Sequence, residues 1–335
     1  MRKSRGLIIL LLALFVSVFL FSFYLGKFPI SLDNFVHTLQ EQLVGKLSAE
    51  HSQFATIMFK IRFPRVVMAA VIGAGIALAG AAYQALFQNP MVSQDILGAS
   101  QGAAFGAALG LYLSQSYQVV VSWAFLGGLI AVGLVLFLAK IIKGETILYM
   151  ILIGMMVGSL FSSAVSFLKL IGDPMSTLPA ITYWLMGSLS GIKQQDVAFA
   201  VPLIVIGCLP IFFLRWRLNL MSLGTQEAES LGVNTRNIRV IMVFAATLIT
   251  AAAVSVTGMI GWVGLIIPHF ARLIVGNDYR KVVPVSALLG ASFLLIVDDI
   301  ARMLTTSEIP IGILTSFIGA PVFLLLLIRN AKMTR

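Results

Sequence analysis

The chain has 335 residues, of which 59% are apolar and only 11% charged. Soluble domains carry about a quarter charged residues, and a mean hydropathy of +1.00 leaves too little polar surface to clothe a body of this size in water. The single cysteine, Cys208, and three scattered histidines, His37, His51 and His269, exclude a disulfide framework, a cysteine-based metal site and a histidine cluster.

A spanning helix needs about 20 predominantly apolar residues, and charge-free runs of that kind recur along the chain. The first, Gly6–Gly26, follows the basic Met1–Arg5. It is too long for the core of a signal peptide and no small-residue cleavage site follows it, so it predicts a retained first span. Residues 28–59 form an outer loop of mixed charge, long enough for a short surface helix. Val66–Gln94 is the next span. Ile96–Ala139 holds two, with Ser114–Gln118 as the turn between them, and Thr146–Leu168 and Val197–Leu214 follow. Residues 215–239 are the one sizeable inner segment and carry Glu227, Glu229, Arg236 and Arg239. Val240–Ala271 predicts two spans, broken near Thr257-Gly258 and again at Pro268. Val282–Val297 and Ile309–Ile328 complete the series. The expectation is an all-α integral membrane protein, a compact bundle of about ten transmembrane helices forming one domain over residues 1–335.

The net charge of +10 has a topological explanation. With the N-terminus inside and ten alternating spans, fifteen of the 23 basic residues fall on inner segments, which is the sign the positive-inside rule requires. Both termini are then cytoplasmic. The basic balance describes a protein whose partner is lipid, not nucleic acid.

Small residues repeat every four positions at Ala69, Gly73, Ala77 and Ala81, at Gly102, Gly106 and Gly110, and at Gly154 and Gly158. Such faces let helix backbones approach closely in lipid. Proline and glycine punctuate the last third at Gly258, Gly261, Gly264, Pro268, Pro310, Gly312, Gly319 and Pro321. Interrupted helices are tolerated where neighbouring protein or a water-filled cavity satisfies the freed backbone, which fits a transport pathway as well as simple kinks.

The chain has no G-x-x-x-x-G-K-[ST] phosphate loop, no G-x-S-x-G and no H-E-x-x-H. Uphill transport would therefore draw on an ion gradient or on a separate ATPase. A gradient-driven secondary carrier needs ionisable groups within the membrane. Asp298 and Asp299, near the outer end of the ninth span, are the candidates, although either also sits at helix spacing to pair with Arg302. Glu308, Arg272 and His269 lie near span boundaries, and no convergent constellation marks a membrane enzyme.

Several ordered blocks resemble one family. Arg62-Phe63-Pro64-Arg65 leads into Gly73–Gln84, then Asn89-Pro90-Met91 and Leu97-Gly98. Tyr183–Leu189, Leu223-Gly224 through Leu231-Gly232-Val233, Gly258–His269 and Pro310–Phe323 follow in order. Together, over about residues 60 to 330, they resemble the permease subunits of type II ABC importers, the iron-siderophore, haem and cobalamin group.

The resemblance implies that family's fold and a transmembrane subunit carrying a metal chelate, first of all a ferric siderophore or iron complex, across a prokaryotic cytoplasmic membrane. Haem, cobalamin and oxyanions are the other cargo classes. It implies no cofactor in this chain, ATP being bound by a partner. The implied partners are a second permease copy in preference to a different permease, two ATPase subunits and an external binding protein. Arg62, Arg65 and Arg302 are similar to arginines that pair with glutamates of that binding protein; the alternative is snorkelling at the interface. Asn89 and Met91 fall at an implied cytoplasmic gate, although Asn89 equally suits a helix cap ahead of Pro90. Leu220, Leu223, Gly224, Glu227, Glu229, Leu231 and Gly232 fall in the implied ATPase-coupling helices, the glycines ending short helices and the leucines filling the ATPase cleft.

Overall fold

A computed structural model gives the architecture of residues 2–45, 48, 51–113, 116–142 and 147–333; the side chains of residues 2–5, 43, 327 and 329–333 lie outside that description. Ser114, Gln115 and Thr146, named above, therefore lie outside the described residues, as do Lys46, Lys143 and Arg335 of the basic residues counted above and the side chains of Arg2, Lys3, Arg5, Arg329 and Lys332. Among the described residues every regular element is helical.

The first span, α1 (Arg2–Tyr24), turns Ile9, Leu10, Leu20 and Phe21 outward, as a helix bathed in lipid does. The outer loop contains the surface helix α2 (Leu32–Val44). Ser31 caps its start by accepting from the Asn34 N–H at 3.2 Å, and left-handed Gly45 ends it. Next, α3 (Ser52–Ala55) runs through a π-helical stretch, Thr56–Arg62, into α4 (Phe63–Leu86), so the second span is the end of one 35-residue helix. Pro64 explains the widened turns. It has no N–H to donate and its ring would strike the carbonyl four residues back, and the π turns absorb that mismatch.

Then come α5 (Ala99–Leu113), α6 (Tyr117–Ile141), α7 (Ile147–Ile171), the short α8 (Thr177–Met186) and α9 (Gln194–Phe213). On the side that the charge pattern assigns to the interior lie α10 (Arg215–Met221) and α11 (Thr225–Ser230). The chain closes with α12 (Thr235–Thr257), α13 (Val263–Val275), α14 (Tyr279–Met303) and α15 (Ile311–Met333). Among the described residues seven helices are long and apolar enough to cross a membrane. With the shorter α5 and α13, and with α15, they occupy the ten predicted spans.

Two features depart from the sequence expectation. The short helix α8 follows the fifth span, where no separate element was expected. Pro268 lies inside α13 and breaks nothing; the break after this helix is at Gly276. Pro268 leaves the Gly264 carbonyl without its helical donor, and Gln84 Nε2 on α4 turns to that oxygen at 3.5 Å and to Leu265 O at 3.1 Å. A neighbouring side chain thus supplies the missing bonds. The break at Thr257-Gly258 lies where expected: Gly258 has φ of 72°, which ends α12, and the Ser188 N–H donates to Thr257 O at 2.7 Å.

At the centre stand α4 and α12, packed on each other and ringed by α14, α13, α9, α6 and α5. Ile72, Ile76 and Tyr83 of α4 and Met242, Ile249 and Ala253 of α12 are fully buried. The small-residue stripes explain how the ring closes. A Cβ on Gly73 would strike the Gly290 carbonyl, and one on Gly290 would strike Gly73's, so α4 and α14 touch backbone to backbone. Gly102 and Gly127 do the same for α5 and α6. Phe137, Leu160 and Phe213 project from the outer helices, completing an apolar girdle.

Candidate functional site

At the outer end, the last turns of α1 and α14, the first turn of α4 and the 304–310 segment converge on three arginines. Arg62, Arg65 and Arg302 are 4%, 7% and 4% exposed. Arg65 donates from Nε to both oxygens of Asp298, at 3.0 and 3.1 Å, and from Nη2 to Oδ1 at 2.9 Å. Its remaining nitrogen, Nη1, meets Glu308 at 2.9 Å. Arg302 places Nε 3.2 Å from Asp298, pairs with Asp299 one turn back, and donates to the Ser22 and Leu25 carbonyls at 3.2 and 3.0 Å. Ser22 Oγ donates to Asp299 at 2.7 Å. Arg62 donates to the carbonyls of Phe23, Tyr24 and Phe28.

These forks do not snorkel outward. They are turned into the chain and paired with its own carboxylates and carbonyls, which offsets much of the cost of desolvating buried guanidinium groups. A cavity of about 330 Å3 gives access to them from outside, lined by the three arginines with Lys27 and Glu308. The Asp–Arg302 spacing anticipated the pairing within α14. Arg65's pairing with Asp298, 233 residues away, had no local signal. An ion-coupled carrier built on Asp298 and Asp299 finds no support, because both carboxylates are already neutralised by fixed guanidinium partners.

Between α8 and α15 an apolar cleft of about 630 Å3 opens, lined by Leu185 and Met186 of α8, Met259, and Gly312, Ser316 and Phe317 of α15. The Ile311 N–H donates to Gly187 O at 2.9 Å, tying the start of α15 to the end of α8. Phe317, one of the lining residues, stands 74% exposed, and Tyr183 of α8 stands 71% exposed.

At the inner end of α4, the Asn89 side chain accepts from the Met91 N–H at 2.9 Å, closing an Asx turn ahead of exposed Met91. Asn89 thus serves as the local cap that the sequence allowed, and Met91 projects from the same loop. The residue that fixes this loop is Gln84, which sequence reading missed: its Nε2 donates to Val92 O at 3.1 Å and its Oε1 accepts from Arg272 Nη1 at 2.6 Å.

Of the residues that the resemblance assigns to coupling, Leu223 and Leu231 are each 59% exposed, beside exposed Glu227 and Glu229. Leu220 differs from expectation. It is half-buried against the chain's own core with Leu218 and Met221, because α10 turns that side toward α14. Gly224 opens α11 at φ of 134°, and Gly232, at φ of 82°, follows its end. Glu229 accepts from Thr235 Oγ1 at 2.6 Å, which joins α11 to α12. Asn219, also missed from the sequence, fastens the segment to α14: it donates to Asp278 Oδ1 at 2.9 Å and accepts from the Tyr279 N–H at 2.7 Å.

A model of the FecCD transport family matches residues 11–329. The chain belongs to that family. Among its relatives, the molybdate import permease MolB of Haemophilus influenzae is 40% identical over 268 residues, 80% of this chain and 79% of that protein. The cobalamin import permease BtuC of Halobacterium salinarum is 40% identical over 272 residues, 81% of this chain and 73% of its own. A solved structure described as an inward-facing conformation of a metal-chelate type ABC transporter is 34% identical, with a TM-score of 0.87 over 97% of this chain and 99% of that one. The ten-span arrangement is thus that of a FecCD permease, a multi-pass membrane transport protein.

Proposed function

We propose that this FecCD protein is the transmembrane subunit of an ABC importer whose cargo is a metal chelate, in the first place a ferric siderophore or other iron complex. The observation that carries the reading is the family match over residues 11–329. The named relatives set the alternatives for cargo, cobalamin and the oxyanion molybdate. In this reading two copies meet across the apolar face of α8 and α15, two ATPase subunits dock on the inner face, and an external binding protein docks at the arginine cavity. The chain itself binds no nucleotide, and both termini face the cytoplasm.

The geometry supports each contact in physical terms. Leu223 and Leu231 present apolar side chains to water beside Glu227, the pattern of an anchor with a polar rim. Asn219 would pass movement of that segment to α14. The cavity over Arg65 offers a charged target for a carboxylate, which sets register and on-rate. Asn89 and Met91 lie where the pathway would meet the cytoplasm. Purification of the tagged chain with its co-expressed gene neighbours tests this: an ATPase and a binding protein should copurify, and the binding protein should hold an iron chelate. Recovery of the chain alone, active in uptake, would overturn the subunit reading; molybdate or cobalamin on the binding protein would replace the cargo.

A further inference from the structure

The outer cluster is built unevenly, and the unevenness has a use. Arg65 holds two carboxylates of different kinds. Asp298 is completely buried and held within the regular helix α14, near its outer end, gripped by three hydrogen bonds from Arg65 and by Arg302. Glu308 has a side chain 29% exposed, comes from the irregular segment between α14 and α15, and holds Arg65 through Nη1 alone. Arg65 and Glu308 line the outer cavity together, so an acidic side chain arriving through it meets this pair, while Asp298 is not among the lining residues.

The same segment is lightly held elsewhere. Thr306 O accepts from the exposed Lys27 Nζ at 2.8 Å, and the Ile309 N–H donates to Ala301 O at 3.2 Å. Three residues beyond Glu308, Ile311 starts α15 and bonds to Gly187 O, and Gly312, Ser316 and Phe317 then form one wall of the apolar cleft. Glu308 therefore ties Arg65 of α4 to the segment that leads into the element lining the cleft.

We propose that Glu308 is a built-in stand-in for the binding protein's carboxylate: it occupies Arg65 in the undocked chain and is displaced on docking. Displacement costs one partly exposed ion pair and replaces it with an equivalent one, so the exchange is close to neutral and reversible. What changes is the segment. Freed from α4, residues 304–310 can move with α15, and occupancy of the outer face is passed to the cleft wall. The proposal rests on the docking reading above.

Glu308→Gln removes the competitor without removing bulk. In nanodiscs holding the importer with its ATPase, the binding protein encoded beside the permease should bind the variant about fivefold more tightly, the equivalent of one exposed ion pair. Spin labels at Lys60→Cys and Ser307→Cys, both exposed positions, in a Cys208→Ser background, report the segment directly. Adding the binding protein should lengthen their separation in the parent, and Glu308→Gln should show the longer distance without it. Unchanged or weaker docking by Glu308→Gln, or a separation indifferent to both changes, would overturn the displacement. Arg65→Glu separates the two levels. If it leaves docking unaltered, the docking reading itself falls; if it weakens docking while Glu308→Gln fails to tighten it, the displacement alone falls.

Discussion

Asp298 is the residue on which the outer end of the bundle turns, and Asp298→Asn tests that with little change of shape. The side chain is fully buried and accepts from Arg65 at 2.9, 3.0 and 3.1 Å, with Arg302 Nε at 3.2 Å. Neutralising it leaves two buried guanidinium groups sharing Asp299 and Glu308. Breaking a buried pair by removing one partner costs about 3–5 kcal/mol. Arg302 keeps Asp299 and Arg65 keeps Glu308, so the lower end, about 3 kcal/mol, applies. Pairing Asp298→Leu with Arg65→Leu removes both charges together, and the double change should recover about 1.5–3 kcal/mol against the sum of the single ones. Detergent unfolding of the purified protein in mixed micelles, followed by the fluorescence of its four tryptophans, measures each value. A loss under about 0.5 kcal/mol for Asp298→Asn, or strict additivity in the cycle, would refute the network.

The helix crossings give a second test. Gly73→Ala would drive a methyl into the Gly290 carbonyl and should cost about 1–3 kcal/mol, whereas Gly133→Ala, with open space around it, should be neutral by the same unfolding assay. On the inner face, Leu223→Ser or Leu231→Ser should weaken capture of the ATPase about tenfold each, the equivalent of one buried leucine, in a pull-down titration. In the outer segment, the Ser48 backbone N–H and then the His51 ring hold the Glu41 carboxyl down to about 2. A depressed carboxyl contributes stability that is complete above its ordinary value of 4.5 and is lost as pH falls toward 2. Hydrogen exchange at α2, corrected for intrinsic rates, should therefore quicken across that window, and Glu41→Gln should show the fast rate at neutral pH.

The spans were legible because lipid demands long uncharged runs, and Gly6–Gly26 or Thr146–Leu168 announce themselves by that alone. Close helix contacts were legible too: the four-residue spacing of Gly102, Gly106 and Gly110 is local information, and those residues face α6. Pro268 misled because the rule that proline breaks a helix is local, while its remedy, Gln84, stands 184 residues earlier on another helix. Likewise Arg302 could be matched to Asp299 by helix periodicity, but Arg65 meets Asp298 only after α4 and α14 have docked. Leu220, Leu223 and Leu231 look alike as letters; which of them faces outward depends on Asn219 fixing α10 against α14. Residues that hold functional segments in place, Gln84 and Asn219 among them, are uncharged amides with no motif of their own.

Uptake into proteoliposomes decides the central claim that this permease works by a motor it does not contain. Vesicles carrying the chain with its ATPase, loaded with ATP and supplied with the binding protein outside, should accumulate radiolabelled iron chelate, and those carrying the chain alone should accumulate none under any imposed proton or sodium gradient. Gradient-driven accumulation by the chain alone would contradict it.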